Sequence, residues 1–400
     1  MAGGFRRFRV AAKVPESDVI TSFYLEPADG GPLWDARPGQ YLTLRVPAKG
    51  GAVLRTYSLS CDVAEPSHHR ITVKREGRPS NGADMPDGVG SCWLHDHVET
   101  GAEIEVAAPR GAFVLNEGSD RPVVLLAGGV GLTPLLSMLH GLAATNRRAW
   151  FVQAYENGAV HAMGDEVRKL VAASGGRIRA HTVYRSPTAD DLAAGLHQDT
   201  GFIDRAVLQA LLPLDDYEFY MCGPTPFMVA MYRLLREFGV PKHRIAYEFF
   251  GKATSLEALA ETPAAAPKVA SRAPSAIAGL AFLTNPGARA VPDAMPKAAA
   301  DPEQPATLHD GDTALLDGDV VFARSGASAQ WRDAAGSLLE LAEEAGLAPE
   351  FSCRAGICNT CRCKIVEGDV TYFEDPLHPP PAGEVLICCS RPVGRVVLDI

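Results

Sequence analysis

The sequence predicts a multi-domain protein with three consecutive folds: an antiparallel β-barrel, an α/β domain with a parallel sheet, and a small α+β domain. Short strands separated by glycine, proline and aspartate come first, strands then alternate with helices, and six of the nine cysteines crowd into the last fifty residues. The 400 residues exceed one usual domain of about 100–200. We predict domains at 1–116, 117–251 and 308–400, and an alanine- and proline-rich linker at 252–307.

The first domain reads as a succession of short strands before any convincing helix, which favours a β-barrel or sandwich. The predicted strands are Phe5–Val10, Val19–Leu25, Tyr41–Val46, Tyr57–Ser60, Ile71–Lys74 and Glu103–Ala107.

The second domain begins with Val123–Ala127, a continuous apolar run typical of a strand buried on both faces of a parallel sheet. A glycine turn and the predicted helix Leu132–Gly141 follow it. The continuing alternation predicts a nucleotide-binding α/β domain. Its further strands are predicted at Ala149–Ala154, Ile178–Tyr184 and Glu218–Met221, and its further helices at Ala162–Ser174 and Pro226–Phe238.

The third domain resumes a period-two pattern and contains one clear helix before the cysteine loop. Its predicted strands are Asp319–Ala323, Arg362–Val366, Glu384–Cys388 and Arg395–Leu398, and its predicted helix is Ser337–Ala345.

Charge and composition exclude several classes of protein. The formal charge is −10, and residues 308–400 carry 15 acidic and 7 basic residues, so we expect no nucleic-acid partner. The longest nearly apolar run, Val123–Leu139, is interrupted by glycine and proline and is shorter than the roughly 20 residues of a membrane helix. We expect no membrane association. The missing secretory pattern at the N-terminus and the clustered, odd number of cysteines predict a cytoplasmic protein.

The cysteine loop has the spacing of a metal site. Cys353, Cys358 and Cys361 form C-x4-C-x2-C, and Cys388 follows after 26 residues, which is the ligand layout of a plant-type [2Fe-2S] cluster. Zinc sites usually show paired C-x2-C knuckles, and this chain has one. A zinc-stapled, non-catalytic binding protein is the alternative from another class. Cys389 competes with Cys388 for the fourth ligand position.

A flavin needs a cation for its phosphates, an aromatic face for its ring and a hydroxyl near its N5, and Arg55-Thr56-Tyr57-Ser58 supplies all three. Residues 5–251 resemble the ferredoxin–NADP reductase superfamily, and most closely the reductase portion of flavohaemoglobins. The C-terminal residues resemble plant-type ferredoxins, which implies a β-grasp fold. The motifs that carry the first resemblance are Arg55-Thr-Tyr-Ser-Leu-Ser60, Ile71-Thr-Val-Lys-Arg-Glu-Gly77, Gly88-Val-Gly-Ser91, Trp93-Leu-His-Asp-His97, Gly128-Gly-Val-Gly-Leu-Thr-Pro134, Cys222-Gly-Pro224 and Tyr247-Glu-Phe-Phe-Gly251.

The resemblance implies roles for particular residues in binding FAD. Arg55 would pair with the flavin phosphates, Tyr57 would pack on the ring, and Ser58 would hydrogen-bond near N5. The helix that starts near Ser91 would direct its N-terminal N–H groups at the pyrophosphate. Phe250 would cover the other face of the flavin, with Glu248 beside it. The remaining predicted flavin residues are Gln40, Tyr41, Lys74, Gly88 and Gly90.

The nicotinamide site is predicted at the carboxyl edge of the parallel sheet. By the resemblance, Cys222 would lie near the reacting carbon of nicotinamide, without acid–base chemistry. Arg185 and Ser186 could hold a 2′-phosphate. No acidic residue stands at that position to select against it, although Asp190 and Asp191 are close, and we favour NADH over NADPH. The other predicted coenzyme residues are Gly128, Gly129, Gly131, Thr133, Pro134, Gly223 and Pro224.

The cluster ligands follow from the ferredoxin resemblance. The ending Leu386-Ile-Cys388-Cys-Ser-Arg-Pro392 selects Cys388 as the fourth ligand, and leaves Cys389 as a packing residue. Gly356 suits a loop that wraps a cluster. Asn359 stands where such families usually have glycine, and asparagine is the residue that best tolerates positive φ after glycine.

The combined expectation is an NAD(P)H-dependent reductase that passes electrons from NAD(P)H through FAD and a [2Fe-2S] cluster to a separate redox protein. That acceptor would be an oxygenase component of Rieske type, a hybrid-cluster protein or a similar protein, docking on the acidic ferredoxin-like end. An FMN-containing reductase of the phthalate-dioxygenase type is the alternative. The flavohaemoglobin globin is absent from the sequence, so haem and nitric-oxide chemistry are not expected.

Overall fold

A computed structural model describes residues 5–48, 51–64, 66–77, 88–250, 256, 260, 319–332, 336–351, 356, 359–373, 375–376 and 379–400. Apart from residues 256 and 260, the predicted linker lies outside these residues. Cys353 and Cys358 also lie outside them.

The N-terminal strands form an antiparallel sheet that closes into a barrel. The strand order is β4-β3-β6-β1-β2-β5, and an antiparallel bridge between Leu59 and Ile71 joins the two ends. Alternate side chains, such as Phe8, Phe23 and Leu42, fill the interior and are fully buried. The elements are β1 Phe5–Pro15, β2 Ile20–Pro27, β3 Tyr41–Ala48, β4 Gly51–Ser58, β5 His69–Lys74, β6 Glu103–Arg110 and the helix α1 Val89–His97.

The predicted strand Tyr57–Ser60 was placed too late in the chain. Strand β4 instead covers Gly51–Ser58 and pairs with β3 from Ala48–Gly51 to Tyr41–Ser58. Most of its side chains are exposed or half-buried, so the strand has no alternating apolar pattern. Hydrogen bonding to β3, and not its own hydrophobicity, makes this segment a strand.

The second sheet is fully parallel, as the sequence predicts, and has the order β10-β9-β8-β7-β11-β12. Every residue of the central strand is buried, and helices cover both faces. Short elements with little apolar pattern, at 189–194, 199–200 and 205–211, were not predicted. The strands are β7 Val123–Gly128, β8 Ala149–Tyr155, β9 Ile178–Tyr184, β10 Asp199–Thr200, β11 Glu218–Cys222 and β12 Ile245–Glu248, and the helices are α2 Leu132–Ala143, α3 Gly164–Ala173, α4 Ala189–Ala194, α5 Arg205–Leu211 and α6 Thr225–Glu237.

The C-terminal sheet has five strands in the order β14-β13-β17-β15-β16. Strands β13 and β17 are parallel, the other pairs are antiparallel, and one helix packs on the sheet, which confirms the α+β prediction. The predicted strand Glu384–Cys388 ends earlier, because Ile387–Cys389 forms a 3-10 turn. The elements are β13 Asp319–Phe322, β14 Ala327–Gln330, β15 Arg362–Tyr372, β16 Glu384–Leu386, β17 Ser390–Leu398 and α7 Leu338–Glu344.

Among the residues that the structure describes, no helix is long and apolar enough to cross a membrane.

Candidate functional site

Three neighbouring strands of the parallel sheet end at the same level. Ala127 of β7 is opposite Cys222 of β11, and Cys222 is opposite Glu248 of β12. The sheet order reverses beside β7, since consecutive strands continue on one side of it and β11 lies on the other. Ligands of open α/β sheets bind in the crevice at such a point.

The glycine turn after β7 lies directly against the end of β11. A side-chain carbon at Gly131 would collide with the carbonyl oxygen of Cys222, so only glycine allows this approach. A short 3-10 turn at Gly129–Gly131 leads into α2, whose first residues Thr133 and Pro134 are buried. The N-terminal N–H groups of α2 therefore begin beside the crevice, where they attract negative charge.

Cys222 and Glu248 are held in their neutral forms at this edge. Burial raises the pKa of the Cys222 thiol well above its ordinary value, and the nearby Glu248 carboxylate raises it further. Burial also raises the pKa of Glu248 to about 8, against a smaller opposite effect of its hydrogen bond with Ser58. The raised pKa favours the neutral form of Glu248 at neutral pH, so the crevice carries less carboxylate charge at this point than an ordinary glutamate would give it.

A hydrogen bond joins this edge to the barrel. The Ser58 hydroxyl donates to Oε2 of Glu248 over 3.4 Å. Ser58 ends β4 and is buried. Two predicted site residues that lie 190 positions apart in the sequence are thus in contact, between the predicted flavin strand and the predicted nicotinamide edge.

The start of α1 lies beside Arg55 and Tyr57. A methyl group at Gly90 would be 2.5 Å from the Tyr57 hydroxyl and 2.7 Å from Cγ of Arg55. Arg55 is exposed and donates to the carbonyl of Leu54 over 2.8 Å. The aliphatic part of the Arg55 side chain therefore lies against the start of a helix, whose first N–H groups are suited to phosphate oxygens.

Ser91 is engaged with its own chain. Its hydroxyl accepts from the backbone N–H of Glu76 over 3.2 Å and lies 3.5 Å from the carbonyl oxygen of Gly88, to which it can donate. A phosphate at Ser91 would share or replace these contacts. Ser91 thus also fixes the N-terminus of α1 to the segment after β5.

Three other predicted flavin residues also have contacts within the chain. The Gln40 side chain accepts from the backbone N–H of Arg37 over 2.8 Å. Lys74 forms an ion pair with Glu76 at 2.9 Å. Tyr41 is buried. The contacts of Gln40 and Lys74 fix the chain segments next to β3 and β5.

Phe250 lies two residues after the end of β12 and exposes 44% of its surface. Tyr57 is half-buried, and burial raises the pKa of its phenol above the ordinary value. Both aromatic rings therefore belong to chain segments that meet through the Ser58–Glu248 hydrogen bond.

An acidic residue that the sequence analysis missed lies beside Arg185. Glu156 follows β8 and Arg185 follows β9, and their side chains are 3.6 Å apart. The Arg185 guanidinium also lies 5.4 Å from the centre of the Phe202 ring. The expectation that no acidic residue stands at this position was wrong. Tyr155 and Tyr184 are opposite each other in the sheet, so the parallel register would have revealed the pair.

The neighbouring predicted residues have other contacts. Asp191 accepts from the backbone N–H groups of Thr188 and Gly158 over 2.8 and 3.2 Å. It therefore caps α4 instead of facing Arg185. Ser186 and Asp190 are exposed.

Cys361 and Cys388 are the two predicted metal ligands within the described residues. Both are buried, and the pairing of Arg362 with Leu386 holds their segments next to each other. The backbone N–H of Gly356 points at Sγ of Cys388, 3.3 Å away. Among the described residues no group of three metal-binding side chains occurs.

Two described residues of the cysteine loop have backbone conformations that fit an iron–sulfur cluster. Gly356 has φ +65° and Asn359 has φ +58°, so asparagine does adopt the conformation for which glycine is usual. The Cys389 sulfur instead lies 3.5 Å from the carbonyl of Leu386, and a methyl group at Gly356 would be 2.9 Å from it. A thiol beside an N–H group directed at sulfur is a donor set suited to a cluster.

Comparison with known proteins defines the class of protein. Residues 12–115 match the model of an oxidoreductase FAD-binding domain, residues 125–233 that of an oxidoreductase NAD-binding domain, and residues 322–393 that of a 2Fe-2S iron-sulfur cluster binding domain. Together with the barrel, the parallel sheet and the C-terminal sheet, these matches define an NAD(P)H-dependent oxidoreductase with FAD and a 2Fe-2S domain.

The relatives place the first two domains in a narrower family. The chain is 45% identical over 257 residues to a flavohemoprotein of Bacillus thuringiensis subsp. konkukian, covering 63% of this chain and 62% of the relative. A flavohemoprotein of Burkholderia sp. is 44% identical over 255 residues, covering 64% of this chain and 61% of the relative. The chain thus spans somewhat over 60% of the length of the curated relatives it matches.

The solved structures similar to this chain also include a flavohaemoprotein-type FAD/NAD-binding domain. The flavohem-like FAD/NAD-binding domain of nitric oxide dioxygenase from Vibrio cholerae is 39% identical, with a TM-score of 0.55, and the match covers 62% of this chain and 99% of that domain. A type IV self-sufficient cytochrome P450 monooxygenase matches 99% of this chain and 41% of its own at 21% identity and a TM-score of 0.52, and this shows the fold alone. The chain belongs to the ferredoxin–NADP reductase superfamily, as a flavohaemoprotein-type reductase module joined to a C-terminal plant-type ferredoxin domain.

Proposed function

We propose that this protein passes electrons from NAD(P)H through FAD to a [2Fe-2S] cluster, and from there to a separate redox protein. The observation that carries the proposal is the hydrogen bond between Ser58 and Glu248. It joins the end of the predicted flavin strand to the predicted nicotinamide edge. Bound FAD would accept the two electrons of a hydride and release them singly, which a one-electron cluster requires.

The residues of the crevice would position the two cofactors. Arg55 and the start of α1 would bind phosphate oxygens, while Tyr57 and Phe250 would cover the two faces of the flavin ring. Ser58 would hydrogen-bond near its reacting nitrogen. Because Glu248 holds its proton at neutral pH, it would not repel the negatively charged coenzyme.

The side chains proposed to bind the adenosine end of the coenzyme favour NADH over NADPH. The Glu156 carboxylate near Arg185 would partly neutralise the guanidinium and repel a 2′-phosphate. A carboxylate can also bind a ribose 2′-hydroxyl, as in many NAD-binding folds.

For the cluster we propose Cys353, Cys358, Cys361 and Cys388 as ligands. The Gly356 N–H directed at Cys388 supports this choice, since hydrogen bonds to the sulfur atoms tune such clusters. Cys389 would be a packing residue, because it lies against the backbone of Leu386 and Gly356.

The acceptor is proposed to be a protein with a basic patch, such as an oxygenase component of Rieske type or a hybrid-cluster protein. The acidic C-terminal domain, with 15 acidic and 7 basic residues at 308–400, would attract it. The crowded thiols support a reducing compartment, and we propose the cytoplasm.

Absorption spectra test the proposal directly. The purified protein should show flavin bands and a broad iron–sulfur absorption, and anaerobic NADH should bleach both. A colourless protein, or a cluster absorption that NADH does not bleach, would refute the electron path.

The ligand assignment is tested by a matched pair of variants. Cys388→Ser should lose the cluster absorption and reduction of cytochrome c, and should keep NADH-dependent reduction of ferricyanide by the flavin. Cys389→Ser should keep the cluster. The reverse result would assign the fourth ligand to Cys389.

A further inference from the structure

Arg110 lies at the end of the barrel that holds Ser58. It is the last residue of β6 and is opposite Tyr41 in β3. Tyr41 in turn is opposite Ser58 in β4. These three residues therefore lie side by side across three adjacent strands, at the edge where Ser58 contacts Glu248.

The Arg110 side chain links this edge to the C-terminal domain. Its Nη1 donates a hydrogen bond to the backbone carbonyl oxygen of Asp375, 265 positions away. Asp375 follows β15 and is exposed, whereas Arg110 is half-buried. Because the acceptor is a backbone oxygen, the contact depends on the position of the main chain and not on the identity of the side chain at position 375.

The segment that Arg110 contacts adjoins the predicted cluster loop. A methyl group at Gly356 would be 3.3 Å from the α-carbon of Pro376, the residue after Asp375. Gly356 itself donates to the sulfur of Cys388. A continuous series of contacts thus runs from β6 through Arg110, residues 375–376 and Gly356 to a proposed cluster ligand.

Resting on the proposed function, we infer that Arg110 is a positioning residue that holds residues 375–376, which lie beside Gly356, against the flavin end of the barrel. In each transfer a bound, reduced flavin would lose one electron and an oxidised cluster would gain it, with no bond formed or broken between them. Such a transfer slows steeply as the two groups separate. Arg110 would act by keeping the C-terminal domain docked at one position, and not by binding either group.

The test uses the full-length protein with both cofactors and follows flavin and cluster absorption after mixing with NADH without oxygen. In Arg110→Ala we expect reduction of the cluster to slow about tenfold. This corresponds to a tenfold smaller docked population, or a docking free energy less favourable by about 1.4 kcal/mol. Reduction of the flavin by NADH should stay within about twofold of the parent rate, less than about 0.4 kcal/mol. Arg110→Lys keeps one charged donor and should recover part of the rate.

Arg7→Ala is the matched control. Arg7 is an exposed arginine of β1, the strand next to β6, and it pairs with Glu103 of β6 at 3.4 Å. It is opposite Glu105, which lies five residues before Arg110 on β6. It should leave both steps unchanged, and an equal slowing in Arg7→Ala would overturn the assignment to Arg110.

Two further outcomes would overturn the inference. Cluster reduction at the parent rate in Arg110→Ala would show that docking does not depend on Arg110. Equal slowing of flavin and cluster reduction, in both Arg110→Ala and Arg110→Lys, would show that Arg110 only supports the barrel. If the parent protein itself did not reduce its cluster with NADH, the proposed function would fail first, and this result is distinguishable because no variant is needed to see it.

Discussion

The barrel has two boundaries within the described residues, one with the parallel sheet and one with the C-terminal domain, and they differ in construction. At the first, the buried guanidinium of Arg70 makes two hydrogen bonds to the Glu166 carboxylate, at 2.7 and 2.8 Å. His140 lies 2.6 Å from the same carboxylate. Burial disfavours ionisation of Glu166, but the hydrogen bonds from His140 and Arg70 prevail and lower its pKa to about 2.

At the second boundary, Arg110 makes a hydrogen bond to a backbone carbonyl. The pair at the first boundary is a bidentate hydrogen bond between two ionised groups, whereas the acceptor at the second boundary is a neutral backbone carbonyl, which makes a weaker hydrogen bond. We therefore expect the barrel to be bound more firmly to the parallel-sheet domain than to the C-terminal domain.

The largest expected effect is at the first boundary. Glu166→Ala removes the partner of the Arg70 charge. Water cannot readily replace that partner, because the Arg70 side chain is only 7% exposed. We expect the free energy of unfolding in urea to fall by about 3–5 kcal/mol. The adjacent Asp165 forms an exposed ion pair with Arg168, and Asp165→Ala should cost at most about 0.5 kcal/mol. Similar values for the two variants would contradict the comparison.

The pH dependence of stability should reveal Glu248, which contributes to the same boundary. Its pKa is raised from 4.5 to about 8 in the folded protein, so in this interval the folded state binds more protons than the unfolded state. Its contribution is fully present below about pH 4.5 and is lost as the pH rises through about 8. In Glu248→Gln the free energy of unfolding should therefore fall less steeply between these pH values. We expect the fall to be smaller by about 2 kcal/mol, a value that allows for partial solvent screening. Parallel curves of unfolding midpoint against pH for the two proteins would exclude this role.

The smallest expected effect is at the second boundary. Arg110→Ala should lower the free energy of unfolding by at most about 1.4 kcal/mol, which corresponds to the tenfold loss of docked population, and it should slow the internal electron transfer. Urea unfolding of Arg110→Ala and Glu166→Ala under the same conditions measures the difference directly. If Arg110→Ala lowered the free energy of unfolding as much as Glu166→Ala, the two boundaries would contribute equally to stability.

The prediction from sequence succeeded where a local pattern reports burial. The apolar run at β7 predicted a strand buried on both faces, and every residue of it is buried. Asn359 was expected to tolerate positive φ, and it adopts φ +58°. Strand β4 was misplaced because its side chains are largely exposed, and exposure leaves no alternating pattern to detect.

The sequence by itself determined the order of the three folds, the spacing of the cysteines and the glycine turn after β7, because each depends on neighbours along the chain. Only the tertiary structure decided that Glu156 lies beside Arg185, that Glu166 pairs with Arg70, and that Arg110 contacts Asp375. Those contacts join residues from different strands, helices or domains. They depend on which strand ends share an edge and on how the domains pack, and periodicity along a single segment carries no information about either.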